Sequence, residues 1–178
     1  MPVHSIVVHL YYITFIDDFS IKTWIYYLNH KDEAFEMFKE FKTLIENKIG
    51  KIIKVFRSDN GGEYMSNKFI AFCKKEWVKK ETIVPYTLEQ NGLAERKNMS
   101  ILEVSHAMLH GQKVPKFLWA EATHAVVYVQ NMVPHQALEN KTPEEIFIGV
   151  KLILAIFVYL DSPYIFKYRR TKGTSWKL

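Results

Sequence analysis

Three acidic residues occur where their carboxylates could act together on one substrate. Asp17 follows a run of β-branched and aromatic residues, Asp59 follows a shorter apolar run, and Glu95 follows a loop and opens an amphipathic helix. Such runs predict strands, and the ends of neighbouring strands in an open α/β sheet face one crevice. Glu95 lies 36 positions beyond Asp59 (95 − 59), so 35 residues separate them. The pattern predicts a shared acidic site.

Three carboxylates close together repel, and at least one would stay protonated without a counter-charge. A hard divalent cation resolves this, because Mg²⁺ takes oxygen ligands and uses one or two carboxylates per ion together with water or phosphate. Two such ions ~4 Å apart can activate a nucleophile and stabilise the leaving oxygen in phosphoryl transfer. The seven histidines show no zinc spacing, and the single Cys73 excludes a cysteine-rich zinc site.

Each acid also has a simpler interpretation, which stays open at this point. Asp17 and Asp18 are typical turn residues between two strands, and the Asp-Asn-Gly-Gly segment at 59–62 is typical of a plain loop. Glu95 would suit the first turn of a helix, where the helix dipole favours a carboxylate. The combination of the three acids is more informative than any one of them.

Predicted strands and helices alternate along the chain in a way that would position these residues. Strands are predicted at residues 6–16, 23–28, 51–56 and 81–84. Helices are predicted at residues 31–48, 66–76, 115–133 and 143–147, and a long helix is predicted from the Asn91-Gly92 turn to about residue 110. This alternation predicts an α/β sheet covered by helices.

Composition places the chain in a broad class. The 178 residues are 48% hydrophobic with a net charge of +5, which predicts one folded domain and is compatible with a nucleic-acid partner. The longest apolar run, residues 152–160, is about half of the ~20 residues that a membrane-spanning helix needs. With no signal-peptide pattern at Met1, we expect a soluble, intracellular protein without a membrane partner.

Several segments, taken in order, resemble the integrase core of Copia-type LTR retrotransposons. They are residues 15–20 (Phe-Ile-Asp-Asp-Phe-Ser), 57–64 (Arg-Ser-Asp-Asn-Gly-Gly-Glu-Tyr), 85–87, 90–98, 117–122 and 140–144, and the spacing of Asp59 and Glu95 is similar to the D,D-35-E signature. The resemblance implies an RNase H-like α/β fold over residues 1–150, a five-stranded mixed sheet flanked by helices, with residues 151–178 as a degenerate tail.

The resemblance also implies a site and a reaction. Asp17, Asp59 and Glu95 would form a metal-binding catalytic triad that holds Mg²⁺ or Mn²⁺, as two ions. Water would trim the ends of element DNA, and the resulting 3′-hydroxyl would join them to target DNA. The DNA contacts would come from a group on either side of Glu95, namely Gln90, Asn91, Arg96 and Lys97. Homo-oligomers are expected, in the nucleus if the protein is functional.

Departures from the family pattern open two alternatives. Ile21 stands where a basic residue is usual, Leu88 where proline is usual, Trp77 where glycine is typical, and His106 where arginine is common. If the position of Trp77 needs a positive φ, the tryptophan is strained. We expect a partly degenerate copy from a plant element. The alternatives to an active integrase are an inactive DNA-binding or interaction remnant and, more weakly, an RNase H-like nuclease.

Overall fold

The computed structural model describes residues 5, 9–50, 52–59, 61–62, 64–82 and 88–151, with residues 88–91 described by their backbone alone. Helices and strands alternate in this part of the chain: β1 (Tyr11–Ile16), β2 (Thr23–Leu28), α1 (Ala34–Ile49), β3 (Val55–Ser58), α2 (Asn67–Lys75), β4 (Lys79–Thr82), α3 (Leu88–Gly111), α4 (Trp119–Met132) and α5 (Pro143–Ile148).

Strands β1 and β2 form an antiparallel hairpin, from the pair Tyr11–Leu28 to the pair Ile16–Thr23. Side chains alternate between the two faces of a strand, and β1 uses both faces. Ile13 and Phe15 are buried in the core cluster that contains the apolar side of α1. Tyr12 packs instead on the cluster formed by α3 and α4. The hairpin therefore lies between two helical layers.

An aromatic core joins α1 to the strands. Phe38 and Phe41 are one helical turn apart and lie on the buried face of α1. The Phe41 ring stacks on Phe15 of β1 with centroids 4.4 Å apart, and Phe38 lies 4.5 Å from Phe56 of β3. Phe38 also stacks on Phe69 of α2 at 5.1 Å. These ring contacts pack β1, β3 and α2 against α1.

Helices α3 and α4 cover the other face of the hairpin. Ile101 of α3 and Val126 and Val127 of α4 are buried together against Ile25 of β2. Nearer the end of α3, Leu109 packs with a second buried group on α4, whose members are Trp119, Ala120 and Ala122. This packing fixes α3, the helix that carries Glu95, on the sheet.

The sheet differs from the expected one. Strand β3 pairs with β4 in parallel, so the described residues form two separate two-stranded sheets, and the five-stranded sheet is not seen among them. Strands predicted at 51–56 and 81–84 occur at Val55–Ser58 and Lys79–Thr82, while residues 83 and 84 lie outside the described part. Cross-strand pairing sets these limits, since the parallel ladder runs from the pair Val55–Lys79 to the pair Ser58–Thr82.

Helix ends were predicted well wherever a capping residue marks them. Gly50 ends α1 in the left-handed conformation with φ 69°, and Ser66 accepts a hydrogen bond from Phe69 N at the start of α2. Thr142 and Glu145 form a reciprocal capping box at α5, because each side chain accepts a hydrogen bond from the other's backbone N–H.

The predicted start of α3 was wrong. The helix begins at Leu88 and runs through Asn91-Gly92, which had been interpreted as a turn. A glycine inside a helix costs about 1 kcal/mol relative to alanine, and a long helix packed against a sheet overcomes that cost. Glu95 is therefore the eighth residue of α3, and the helix-dipole interpretation of Glu95 does not apply.

The chain divides into two compact units, residues 1–148 and residues 149–178. The structure describes residues 149–151 of the second unit, and the predicted tail otherwise lies outside the described residues. In the described part of the chain, no helix is both long enough and apolar enough to cross a membrane.

Candidate active site

The three predicted acids line one cavity. Asp17 at the end of β1, Asp59 after β3 and Glu95 on α3 all border a space of about 630 Å³. Most of the apolar lining comes from β1, α1 and β3, whereas the three acids belong to the polar lining together with Asp18, Arg57, Glu81 and Asn98. We call the group of Asp17, Asp59 and Glu95 the acidic mouth.

Asp17 is held inside the β1–β2 turn. Its Oδ2 accepts hydrogen bonds from Ser20 N at 2.8 Å and from Ser20 Oγ at 2.6 Å, and Ser20 is fully buried. The backbone closes the same turn, because Ile21 N donates to Asp17 O and Asp17 N donates to Lys22 O. One oxygen of this carboxylate is thus used to shape the turn, as the simpler interpretation of Asp17 requires.

The β1–β2 turn contains a residue in an unfavourable backbone conformation, and a side chain of α4 binds the backbone next to it. Ile21 has φ 59°, a conformation that is an outlier for a β-branched residue. Directly after it, the Asn131 side chain of α4 accepts from Thr23 N at 3.0 Å and donates to Thr23 O at 2.7 Å. The amide of Asn131 acts as a short strand partner for β2, so α4 holds the strained turn in place.

A buried ion pair also anchors the turn. Lys22 Nζ forms a salt bridge with Glu144 of α5, and both residues are at most 9% exposed. The ammonium group also lies 5.1 Å from the Trp24 ring centroid and 4.6 Å from that of Phe147. Burial lowers the pKa of Lys22, and Glu144 partly opposes that change. Helix α5 is therefore tied to the turn that carries Asp17.

Asp59 lies in a tight turn after β3. Its Oδ1 accepts a hydrogen bond from Gly61 N at 3.1 Å, and the residue is exposed. A Cβ placed on Gly62 would meet nothing within 4 Å among the described residues. The local structure fits a turn that presents an exposed carboxylate.

Glu95 is positioned by a hydrogen bond one turn further along α3. Thr14 Oγ1 of β1 donates to Asn98 Oδ1 at 2.9 Å, and both Glu95 and Asn98 line the cavity. Residues three apart lie on the same side of a helix, so this bond joins β1 to the side of α3 that carries Glu95. The sequence analysis did not identify Asn98, because nothing local to the helix marks its partner on β1.

A charged network that the sequence analysis missed crosses the cavity. Arg57 of β3 donates to Asp18 Oδ2 at 2.7 Å and to Glu81 Oε2 at 3.1 Å. Lys79 binds the other oxygen of Glu81 at 2.8 Å. Hydrogen bonds from Lys79 and Arg57 lower the pKa of Glu81, and the bond to Glu81 raises the pKa of Arg57. Arg57 and Glu81 face each other in the β3–β4 register, which sequence alone does not reveal.

The predicted DNA contacts differ in accessibility. The side chains of Gln90 and Asn91 lie outside the described residues. Arg96 is exposed, and its Nε donates to Gly92 O of the same helix at 2.8 Å. Lys97 is half-buried, and this burial lowers the pKa of its ammonium group. Of the two described cations, Arg96 is the better placed for a phosphate.

The acidic mouth does not form a complete metal-binding site in the described part of the chain. Carboxylate oxygens suit Mg²⁺, but no three His, Cys, Asp or Glu side chains in the described part of the chain are arranged to hold a metal ion together. Asp17 also has one oxygen bound by Ser20. The donor atoms are therefore of the right type for Mg²⁺ and line one cavity, but no three of the described side chains converge on a single point.

Sequence comparisons identify the family. The profile of the integrase core domain matches residues 3–87. The chain is 37% identical over 175 residues to the retrovirus-related Pol polyprotein from transposon TNT 1-94 of Nicotiana tabacum, covering 97% of this chain and 13% of that protein. It is 34% identical over 148 residues to the Pol polyprotein from transposon RE2 of Arabidopsis thaliana, covering 83% of this chain and 10% of that protein. The chain thus spans a small part of these relatives.

Solved structures agree on the fold. The simian T-cell lymphotropic virus intasome in complex with PP2A regulatory subunit B56 gamma has a TM-score of 0.62 at 19% identity, covering 80% of this chain and 49% of that chain. The HTLV-2 integrase catalytic core domain in complex with magnesium (dimeric form) has a TM-score of 0.56 at 22% identity, covering 75% of this chain and 81% of that chain. With the profile match over residues 3–87, the chain contains an integrase core domain and is similar to a segment of Copia-type retrotransposon Pol polyproteins of plants.

Proposed function

We propose that this chain is the catalytic core of a retrotransposon integrase, which processes DNA 3′ ends and transfers them to target DNA. The observation that carries the proposal is the acidic mouth, where carboxylates from three separate elements line one cavity. In this proposal Asp17, Asp59 and Glu95 bind two Mg²⁺ or Mn²⁺ ions. A solved relative of the same fold contains magnesium, which supports this choice of metal.

The residues of the chain have distinct roles in this proposal. Bound metal would offset the repulsion among the three carboxylates and stabilise charge on transferring phosphates. Arg96 and Lys97, together with Gln90 and Asn91, would contact the DNA backbone, where contacts position the duplex without reading its sequence. Thr14 and Asn98 would act as positioning residues for Glu95. Action as a homo-oligomer in the nucleus belongs to the same proposal.

A second candidate is an inactive remnant that keeps the fold and binds DNA without turnover. Two observations favour it: Ser20 holds one oxygen of Asp17, and no group of three metal-ligating side chains is assembled within the described residues. In that case Asp17 is a turn residue, and the cavity binds no ion.

Calorimetry with Mn²⁺ distinguishes the two candidates. Wild type should bind Mn²⁺ with measurable heat, and Asp59→Asn and Asp17→Asn should each abolish that heat. The matched control is Asp32→Asn, which neutralises an exposed acid outside the acidic mouth and should bind as wild type does. Negligible heat from wild type would refute the metal site, and wild-type heat from Asp17→Asn would remove Asp17 from it.

Strand transfer of a labelled oligonucleotide into plasmid DNA tests turnover directly. Glu95→Gln should abolish the product, whereas Glu103→Gln, an exposed position on the same helix, should leave it unchanged. Product formation by Glu95→Gln would contradict the assignment. DNA binding by a wild type that forms no product would establish the inactive remnant.

A further inference from the structure

Two histidines lie together on the solvent side of α3. His106 and His110 are four positions apart on this helix, so their side chains lie one turn apart on the same face. Both residues are exposed, whereas Ser105 and Leu109, the residues just before them, are buried. The packed face of α3 therefore leaves His106 and His110 accessible from solvent, and we call them the histidine pair.

The fold does not use the rings of the histidine pair. Within the described residues, neither ring has a hydrogen bond, an ion pair or an aromatic contact. His135, by contrast, accepts a hydrogen bond from the backbone N–H of Ala137 and so has a structural role. A neutral imidazole offers one nitrogen lone pair, and in the histidine pair both lone pairs are available to an outside ligand.

Two imidazoles at this spacing are suited to chelate one metal ion. In helical zinc sites, histidines at i and i+4 place two nitrogen ligands on the same Zn²⁺ ion. Nitrogen ligands select Cu²⁺, Ni²⁺ and Zn²⁺, whereas Mg²⁺ takes oxygen ligands. His110 also lies in the last turn of α3, where the helix dipole favours a cation.

The histidine pair is separate from the acidic mouth. His106 lies 11 positions beyond Glu95 (106 − 95), which is about 16 Å along a helix that rises 1.5 Å per residue. His106 is also one of the positions at which this chain departs from the family pattern, so the pair is a property of this sequence. No group of three ligating side chains occurs among the described residues, and water would therefore complete the coordination of an ion here.

We propose that the histidine pair binds one divalent transition-metal ion, through one nitrogen of each ring and with water in the remaining positions. The bound ion joins two successive turns of α3 and stabilises the end of that helix. Cu²⁺ should bind more tightly than Ni²⁺ or Zn²⁺, and Mg²⁺ should not bind at the pair. This site needs neither DNA nor the acidic mouth, and it does not depend on the proposed catalytic function.

Calorimetry of the full chain with Zn²⁺ tests the proposal, in a large excess of Mg²⁺ that competes at carboxylates and not at imidazoles. His106→Gln and His110→Gln should each lower the Zn²⁺ affinity by about tenfold or more, since even the loss of an outer-shell partner of a metal ligand has an effect of that size. The matched control is His124→Gln, which removes an exposed histidine from α4 and should bind as wild type does. No Zn²⁺ binding by wild type, unchanged binding by either pair variant, or an equal loss in the control would overturn the proposal.

A double variant tests the geometry without changing the composition. Met108→His/His110→Met exchanges two exposed residues of α3, so the chain keeps its seven histidines, but two of them are now two positions apart. Residues two apart on a helix do not face each other, so the Zn²⁺ affinity should fall as far as in His110→Gln. Zn²⁺ should also raise the Tm of wild type more than that of the double variant. Wild-type affinity in the double variant would refute chelation by the histidine pair.

Discussion

Trp77 stands out among the individual residues. It has φ 56° between α2 and β4, and its side chain is 90% exposed. The strain that the sequence analysis expected at this position is therefore present, since a non-glycine residue in the left-handed region costs roughly 1–2 kcal/mol. No packing contact among the described residues offsets that cost, so we expect Trp77 to lower the free energy of unfolding.

Trp77→Gly should therefore stabilise the protein by about 1 kcal/mol, a rise in Tm of roughly 2–4 °C, because glycine adopts a positive φ without strain. Urea or thermal unfolding monitored by circular dichroism would measure the change. Phe19→Gly is the matched control, since Phe19 is 79% exposed in a turn without a positive φ. A destabilised Trp77→Gly, or equal stabilisation by both variants, would show that strain is not the cause.

Tyr27 makes stability depend on pH in the alkaline range. Its hydroxyl donates to Ala120 O at 2.6 Å, and burial raises its pKa from 10.0 to about 12. Between these values the unfolded chain has lost the tyrosine proton while the folded protein keeps it. The folded state then binds more protons than the unfolded state, so stability falls as pH rises through this window.

Tyr27→Phe should reduce this alkaline loss of stability by about 1 kcal/mol, measured as the change in unfolding free energy between about pH 9 and about pH 11. Other buried tyrosines and lysines remain in both proteins, so the comparison isolates Tyr27. Tyr128→Phe, which removes an exposed hydroxyl from α4, should keep the wild-type profile. An unchanged slope in Tyr27→Phe would mean that Tyr27 does not drive the loss.

At the scale of elements, the six-residue helix α5 contributes strongly to the stability of the β1–β2 turn. Its capping box fixes the helix start, and its Glu144 pairs with Lys22 in a buried position beside two aromatic rings. A buried charge that loses its partner is strongly destabilising, whereas an apolar pair of similar volume is often tolerated. The orientation of the β1–β2 turn therefore depends on a helix more than a hundred residues away in sequence.

Glu144→Ala should destabilise the protein by about 3 kcal/mol, because it leaves the Lys22 ammonium buried and unpaired. The double variant Lys22→Met/Glu144→Leu should recover most of that loss. Glu36→Ala is the control, since it breaks the exposed Glu36–Lys39 pair and should cost less than about 0.5 kcal/mol. Urea unfolding of all four proteins gives the comparison, and a double variant no better than Glu144→Ala would contradict the ion-pair explanation.

The elements also show what sequence could and could not predict. Ends marked by Gly50, Ser66 and Thr142 were predicted correctly, because capping is local chemistry. The starts of β3 and β4 were misplaced, since their limits come from pairing between distant residues. Asp17, Asp59 and Glu95 line one cavity, while their role as a catalytic triad stays a prediction. The hydrogen bonds of Ser20 to Asp17 could not be predicted from spacing alone.

At the scale of the whole molecule, a net charge of +5 coexists with the acidic mouth. Cations elsewhere on the chain must therefore attract the phosphate backbone if DNA binds. Each cation that neutralises a phosphate releases counterions, so affinity falls as salt concentration rises. Exposed Arg96, on the same helix as Glu95, is the described cation best placed to contribute beside the acidic mouth.

Arg96→Gln should reduce the slope of log affinity against log salt by about one, with a similar loss for every DNA sequence. Fluorescence anisotropy over a range of salt concentrations measures this slope. Lys116→Gln, at an exposed position between α3 and α4, removes one cation in a different place and should keep the wild-type slope. Equal slopes for wild type and Arg96→Gln would exclude a phosphate contact by Arg96.

Within the described residues, one edge of β1 and one edge of β3 have no strand partner, and this bears on how the chain behaves in solution. Strand edges without a partner offer a row of backbone donors and acceptors to any other chain, and they promote aggregation through intermolecular sheets. Aggregation of the purified chain would then be explained by pairing at these two edges, without any loss of the helical layers that cover the hairpin.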